Sequence, residues 1–225
     1  MTENYTKIVL KSGKDQSLKR FHPWVFSGAI KKIYGNLIEG DLVSVYSNKD
    51  EFLGLGHYQI GAIAVRIISF IEVVPDYDFW KKKIENAWNY RKLFGFADNE
   101  ETNVFRLIHA EGDGMPGLIA DFYNGTVVLQ MHSIGMYLIR EVIVNILKEV
   151  LGEKLKAVYN KSAKTLPFKA EIQSEDAYLF GGNNENEVLE HGLKFKVDWK
   201  LGQKTGFFID QRENRLLVQK YSQNR

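Results

Sequence analysis

The feature that most constrains this chain is a change of period near residue 75. Before it, residues 7–10, 41–46, 52–57 and 62–69 are short β-branched or alternating runs. Turn residues at Gly35-Asn36, Gly40-Asp41 and Ser47-Asn48-Lys49-Asp50 separate them, the signature of closely spaced strands. Strands packed this densely in sequence predict a compact barrel over residues 5–70. Val73-Val74-Pro75-Asp76 then marks a boundary, because proline pushes the residue before it out of the helical region.

Beyond that boundary the apolar spacing becomes helical and then mixed. Asp78 is the expected N-cap of a helix running through Tyr90, with Trp80, Ile84, Ala87 and Arg91 on one side. Strands are expected over residues 104–110 and 117–123. Asn124-Gly125 is a strong hairpin signal leading into a third strand over 126–131. A second helix is expected over 136–151, burying Ile139, Ile143, Ile146, Leu147 and Val150 and capped by Gly152. Residues 155–160 read as a strand, 161–169 as a basic loop containing Pro167, and 180–186 as a polar turn. An alternating strand over 193–199 and a helix over 210–221 complete the expectation.

Composition decides which chemistry is open to such a chain. With 225 residues, 44% hydrophobic and 13% aromatic, it can build one large core or two smaller ones. It has no cysteine, which removes disulfides, thiolate zinc sites and any thiol nucleophile. The polar N-terminus and the lack of an apolar run of about 20 residues predict a soluble, cytoplasmic protein with no membrane partner. Net charge is only +2, but seven basic residues between Lys7 and Lys32 face one acid, Asp15. Such a local excess suits phosphates, although from charge alone a solvated lysine-rich face is the better reading.

Several motifs bear on chemistry. Gly112-Asp113-Gly114-Met115-Pro116-Gly117 has the letters of the dinucleotide fingerprint, but Pro116-Gly117 precludes the helix whose amides would meet a pyrophosphate. A turn is expected there instead. His109, Glu111 and Asp113 alternate, and a hydrogen-bonded loop explains them better than a metal site. In Phe21-His22-Pro23-Trp24-Val25-Phe26, the aromatic residues Trp24 and Phe26 are expected in the small core, leaving His22 and the lysines for contact. The segment from Gly202 to Arg215 joins a glycine turn, an aromatic pair and a polar helix start. Amides and Arg212 suit a carboxylate, Asp210 an ammonium and Phe208 a flat ring, and a tight turn before a capped helix reads equally well.

Three segments together resemble the PUA-domain-containing class I methyltransferases of large-subunit (23S) ribosomal RNA, which act typically at cytosine C5. These are Lys11-Ser12-Gly13-Lys14 with His22-Pro23-Trp24-Val25-Phe26-Ser27-Gly28-Ala29-Ile30, then the stretch from Arg106 to Ile119, and then Gly202-Gln203-Lys204-Thr205-Gly206-Phe207-Phe208-Ile209-Asp210-Gln211-Arg212. The resemblance implies an α+β protein: a PUA-like barrel over 1–73, a central α+β domain with a β-hairpin over 74–190, and from 191 the start of a Rossmann-type domain for S-adenosyl-L-methionine (SAM). It implies ribosomal RNA as partner, with Lys11, Lys14, Lys19, Arg20 and His22 as the RNA-binding candidates. Lys204, Thr205, Phe208, Asp210, Gln211 and Arg212 become the candidates for the cofactor side.

The same resemblance carries a departure. The family uses a Cys thiolate on C6 of a flipped-out cytosine, and this chain has none and ends at Arg225. No catalytic residue is therefore expected within it, nor tight SAM binding by it. The chain reads as the substrate-binding part of a longer enzyme, favoured by the cofactor-side motif, or as a short non-catalytic relative. A pure RNA- or ribosome-binding module and a protein-interaction scaffold are the rival classes. No metal is expected, and a homodimer is compatible with the sequence.

Overall fold

A computed structural model describes residues 5–167, 172, 174–182 and 186–222. Its N-terminal part contains β1 (Thr6–Leu10), the single helical turn α1 (Gln16–Lys19), β2 (Trp24–Phe26), β3 (Ile30–Tyr34), β4 (Leu42–Tyr46), β5 (Phe52–Tyr58) and β6 (Ile63–Ser69). The strands form one sheet in the order β2-β6-β5-β4-β1-β3, with β1 and β4 parallel and the other pairs antiparallel. Only the 3-10 turn Ser27–Ala29 joins β2 to β3, although they sit at opposite edges. The four steps from Phe26 to Ile30 reach at most about 14 Å, so the sheet must curl to bring its edges together. Inside lie Ile8, Leu10, Leu18, Val25, Val43, Val45, Leu53, Val65 and Ile67.

Residues 24–26 and 30–34 form strands that the sequence pattern does not announce, and one expected core assignment is corrected. On β2 it is Val25 that is buried, whereas Phe26 is 49% exposed and Trp24 half-buried. Alternation along a strand sends neighbours to opposite faces, so Val25 enters the barrel and the two aromatic residues leave it.

The central part starts with α2 (Tyr77–Leu93), whose N-cap is Asp76 rather than Asp78: the Asp76 side chain accepts from the Phe79 amide at 2.9 Å. Then come β7 (Val104–His109), β8 (Leu118–Tyr123) and β9 (Thr126–Met131), with Asn124 (φ 44°) and Gly125 (φ 97°) in the left-handed region that a tight hairpin demands. The expected second helix is two helices, α3 (Ile134–Leu138) and α4 (Arg140–Leu151), broken at Ile139. They carry the chain over the sheet to β10 (Ala157–Asn160), parallel to β9, and β11 (Ala177–Phe180) completes the order β11-β10-β9-β8-β7. Part of the expected 161–169 loop and of the 180–186 turn lies outside the described residues.

One face of this sheet packs on α2 and α4 through Trp88, Phe105, Leu107, Phe122, Leu129 and Ile146. The other face takes a second layer: β12 (Glu187–Glu190), β13 (Leu193–Lys196) and the following loop bring Val188, Val197 and Trp199 onto Val104, Tyr123, Val128 and Tyr159. The alternating run ends at Lys196, not Trp199, and the last helix, α5 (Arg212–Tyr221), follows a 3-10 turn over Ile209–Gln211. The curled sheet docks on the central part directly. A Cβ on Gly135 would lie 2.2 Å from the His57 ring, and one on Gly40 2.5 Å from Leu138, so glycine permits the approach. The result is the mixed α+β architecture with an N-terminal curled barrel.

Candidate functional site

The basic residues of the barrel divide into compensated and open cations. Lys7 pairs with Asp50, and Lys19 with Asp15 and Glu51, each of the latter at 2.8 Å. Those carboxylates hold the Lys19 ammonium well above its ordinary pKa, and Lys19 in turn lowers Asp15 and Glu51. Two of the three acids lie outside the window from Lys7 to Lys32, so this part of the surface is less positive than the linear count suggests. Lys11, Lys14 and Arg20 are exposed and form no ion pair among the described residues. Lys11 Nζ donates to the Gly28 carbonyl at 2.8 Å, and His22 Nδ1 accepts from the Trp24 amide at 3.3 Å.

Within the Arg106–Ile119 segment, the connection 110–117 between β7 and β8 reaches the barrel. Ala110–Asp113 forms a 3-10 turn, ended by Gly114 at φ 67°. Asp113 accepts from both terminal nitrogens of Arg91 (2.6 and 2.8 Å) and from the His109 amide (2.5 Å). Glu111 turns the other way and accepts from Trp24 Nε1 at 2.8 Å. The two acids organise the loop and tie it to β2. Gly117, at φ 87°, passes so close to Ser133 that a Cβ would sit 2.6 Å from its hydroxyl.

In the Gly202–Arg212 motif the six candidates separate by depth. Thr205 is fully buried: its hydroxyl donates to Asp121 at 2.6 Å and lies 2.7 Å from the Tyr123 hydroxyl. Asp121, itself fully buried, also accepts two hydrogen bonds from Arg106 at 2.8 and 3.0 Å. Lys204, Phe208 and Asp210 project together at the surface, with Lys204 Nζ 3.0 and 3.1 Å from the Asp210 carboxylate oxygens and 4.6 Å from the Phe208 ring centre. That ammonium holds the Asp210 carboxyl below its ordinary range. Gln211 is exposed and accepts from Asn214 at 2.6 Å. Arg212 points inward to Glu190 (3.1 Å) and to the Val104 carbonyl, joined by Arg215 on the same carboxylate.

The sequence motifs do not single out Arg106, Asp121, Glu190, Arg66 or His132 for the site. A signal exists for two of them. Arg106 and Asp121 are charges inside otherwise apolar strands, and a charge in a buried strand requires a partner. Glu190 and its arginines are joined only by the tertiary fold. Among the described residues no three His, Cys, Asp or Glu side chains are grouped to hold a metal, and no helix is long and apolar enough to cross a membrane.

Comparison with known proteins agrees with this architecture. Residues 8–70 match the PUA-like domain family. The chain is 35% identical over 224 residues to ribosomal RNA large subunit methyltransferase I of Pseudoalteromonas atlantica, covering 98% of this chain and 55% of that protein. It is 33% identical over 219 residues to the protein of the same name from Aeromonas salmonicida, covering 96% and 54%. Among solved structures it resembles a candidate SAM-dependent methyltransferase from Streptococcus mutans, with TM-score 0.78, 26% identity and 96% and 54% coverage. It also resembles a candidate methyltransferase in complex with SAH, with TM-score 0.76, 27% identity and 93% and 52% coverage. The chain spans about half the length of the curated relatives it matches.

Proposed function

We propose that this chain is the RNA-binding and substrate-positioning part of a SAM-dependent methyltransferase of large-subunit ribosomal RNA, acting at cytosine C5. Residues 1–73 dock structured RNA, residues 74–190 orient it, and residues 191–225 lead into the part that holds the cofactor. The nucleophile is assigned to the share of the relatives' length that this chain does not match, since the chain itself has no cysteine. The observation that carries the reading is the way Thr205 is fixed into the central sheet while Lys204, Phe208 and Asp210 stand together at the surface beside it.

SAM, when bound, supplies an electrophilic methyl group. The side chains present fit it in part. Asp210 suits its ammonium, and the 41% exposed Phe208 ring suits a flat heterocycle. Arg212, with its side chain 11% exposed and held by Glu190, serves to fix the loop. Lys11, Lys14, Arg20 and His22 are assigned to RNA phosphates, interactions that position a duplex without reading its sequence. Lys19 belongs to the same surface with its charge already shared between two acids.

The test is a filter-binding titration of large-subunit ribosomal RNA fragments against the wild type and a Lys11→Ala/Lys14→Ala/Arg20→Ala variant across salt. The reading expects weaker binding and a salt slope shallower by roughly one for each phosphate left without its cation. Unchanged affinity and slope would remove this surface from RNA recognition.

A further inference from the structure

Among the described residues, the outer face of the central sheet is only half covered. Near the Asn124-Gly125 turn it lies under Val188, Val197 and Trp199. Towards the other end, strand alternation brings Arg106, Ile119 and Gln130 to the same face, followed by His109 and His132, and none of these five is buried. The uncovered area is a floor with two walls. One wall is the β2 edge of the barrel. The other is the Lys204–Asp210 loop, fastened to the floor by Gln130, whose Nε2 donates to the Lys204 carbonyl at 3.1 Å.

The β2 wall is aromatic. His22, just before the strand, and Trp24 and Phe26 on it follow one another at alternate positions, with successive rings edge to face at 5.5 and 6.4 Å. Trp24 is locked by Glu111 and stands opposite Arg66 in the β2–β6 register. His132 continues β9 past Gln130, its amide donating to the Gly117 carbonyl at 2.8 Å. Desolvation, with the charges of Arg66 and Arg106, keeps this ring below its ordinary pKa, so at neutral pH it both donates and accepts.

The charge balance of the strip points to one kind of occupant. Its carboxylates are committed internally: Glu111 to Trp24, Asp121 to Arg106 and Thr205, Asp113 to Arg91, and the exposed Asp210 to Lys204. Lys11, bonded to the Gly28 carbonyl just after β2, and Arg20, two residues before His22, are exposed cations flanking the β2 wall. Exposed rings, hydrogen-bonding groups of both senses and flanking cations match a strand whose bases are unpaired, since a duplex hides base faces and most base edges.

We propose that an unpaired stretch of RNA crosses this floor, from the His22–Trp24–Phe26 edge over His132 and His109 to the Lys204–Asp210 loop, with Phe26 as a stacking platform and His132 as a base-edge partner. The inference rests on the RNA reading above and adds the nucleotide state and the path. Phe26 and His132 are surface residues, so Phe26→Ala and His132→Ala are expected to leave the fold intact, which far-UV circular dichroism checks.

The experiment measures fluorescence anisotropy of the full 225-residue chain with a short single-stranded RNA of mixed sequence and with the same sequence as a duplex. The expected result is a preference for the single strand, lowered about tenfold by each substitution, with duplex affinity unchanged. The Lys11→Ala/Lys14→Ala/Arg20→Ala variant weakens both. If the Phe26→Ala/His132→Ala variant binds the single strand as wild type does while the basic variant still weakens both, the path is wrong and the RNA reading stands. If the wild type binds neither RNA, both fall together.

Discussion

The Thr205 hydroxyl donates a 2.6 Å hydrogen bond to Asp121, 84 residues away, in a position closed to solvent. This bond fastens the C-terminal loop to the middle of the central sheet. Asp121 is the shared acceptor for Thr205 and Arg106, so the loop and β7 are held through one carboxylate.

Thr205→Val keeps the shape and removes the donor. It leaves Asp121 short of one partner in a dry site and is expected to cost about 1–3 kcal/mol. Asp121→Ala is expected to cost about 3 kcal/mol, the low end for a broken buried pair, because the Arg106 side chain is 34% exposed and keeps some access to water. Denaturant midpoints check both, and a larger loss in Thr205→Val than in Asp121→Ala would contradict Asp121 as the shared acceptor.

Glu190 gives the C-terminal helix an acid sensitivity. Burial alone would raise its carboxyl, but hydrogen bonds from Arg215 and Arg212 outweigh that and hold it below its ordinary value. A depressed folded-state pKa contributes stability above the unfolded value, near 4.5, and that stability is lost as pH falls through the folded value. Hydrogen exchange over residues 209–222 is therefore expected to accelerate below about pH 4.5, and Glu190→Gln to weaken helix docking already at pH 7.

His57 works in the opposite direction from a paired histidine. It is buried against Gly135 and stacked at 6.1 Å on Trp80, its Nδ1 has no hydrogen-bond partner among the described residues, and burial pushes its pKa down to about 4. The unfolded chain takes up that proton near pH 6.5, so stability is fully present above 6.5 and declines as pH falls towards 4. The decline is of the order of 3 kcal/mol. His57→Phe should flatten this part of the stability-pH curve. Gly135→Ala should disrupt the junction between barrel and central part, because no rotamer removes a Cβ from the ring.

Sequence patterns are legible here where local forces decide. The Asn124-Gly125 turn and the β8–β9 pair stand where the alternation puts them. Asp76 and Asp78 are both placed to cap α2, and nothing local separates them until one meets the Phe79 amide. β2 and β3 are illegible for different reasons. Trp24–Phe26 is too short to alternate visibly, and Ile30–Tyr34 carries Lys31 and Lys32, which read as surface charge rather than strand. In the candidate site, the surface trio Lys204, Phe208 and Asp210 comes from one contiguous motif. The inward turn of Arg212 depends on Glu190, and the open floor depends on how β7, β9 and the barrel meet, which no local pattern encodes.

The most direct measurement is binding of this chain to large-subunit ribosomal RNA fragments at several ionic strengths, with calorimetric titration of SAM on the same preparation. RNA binding whose affinity falls steeply with salt is expected, with no tight SAM binding by these 225 residues. Absence of RNA affinity even at low salt would contradict the RNA reading and put a protein-interaction scaffold in its place.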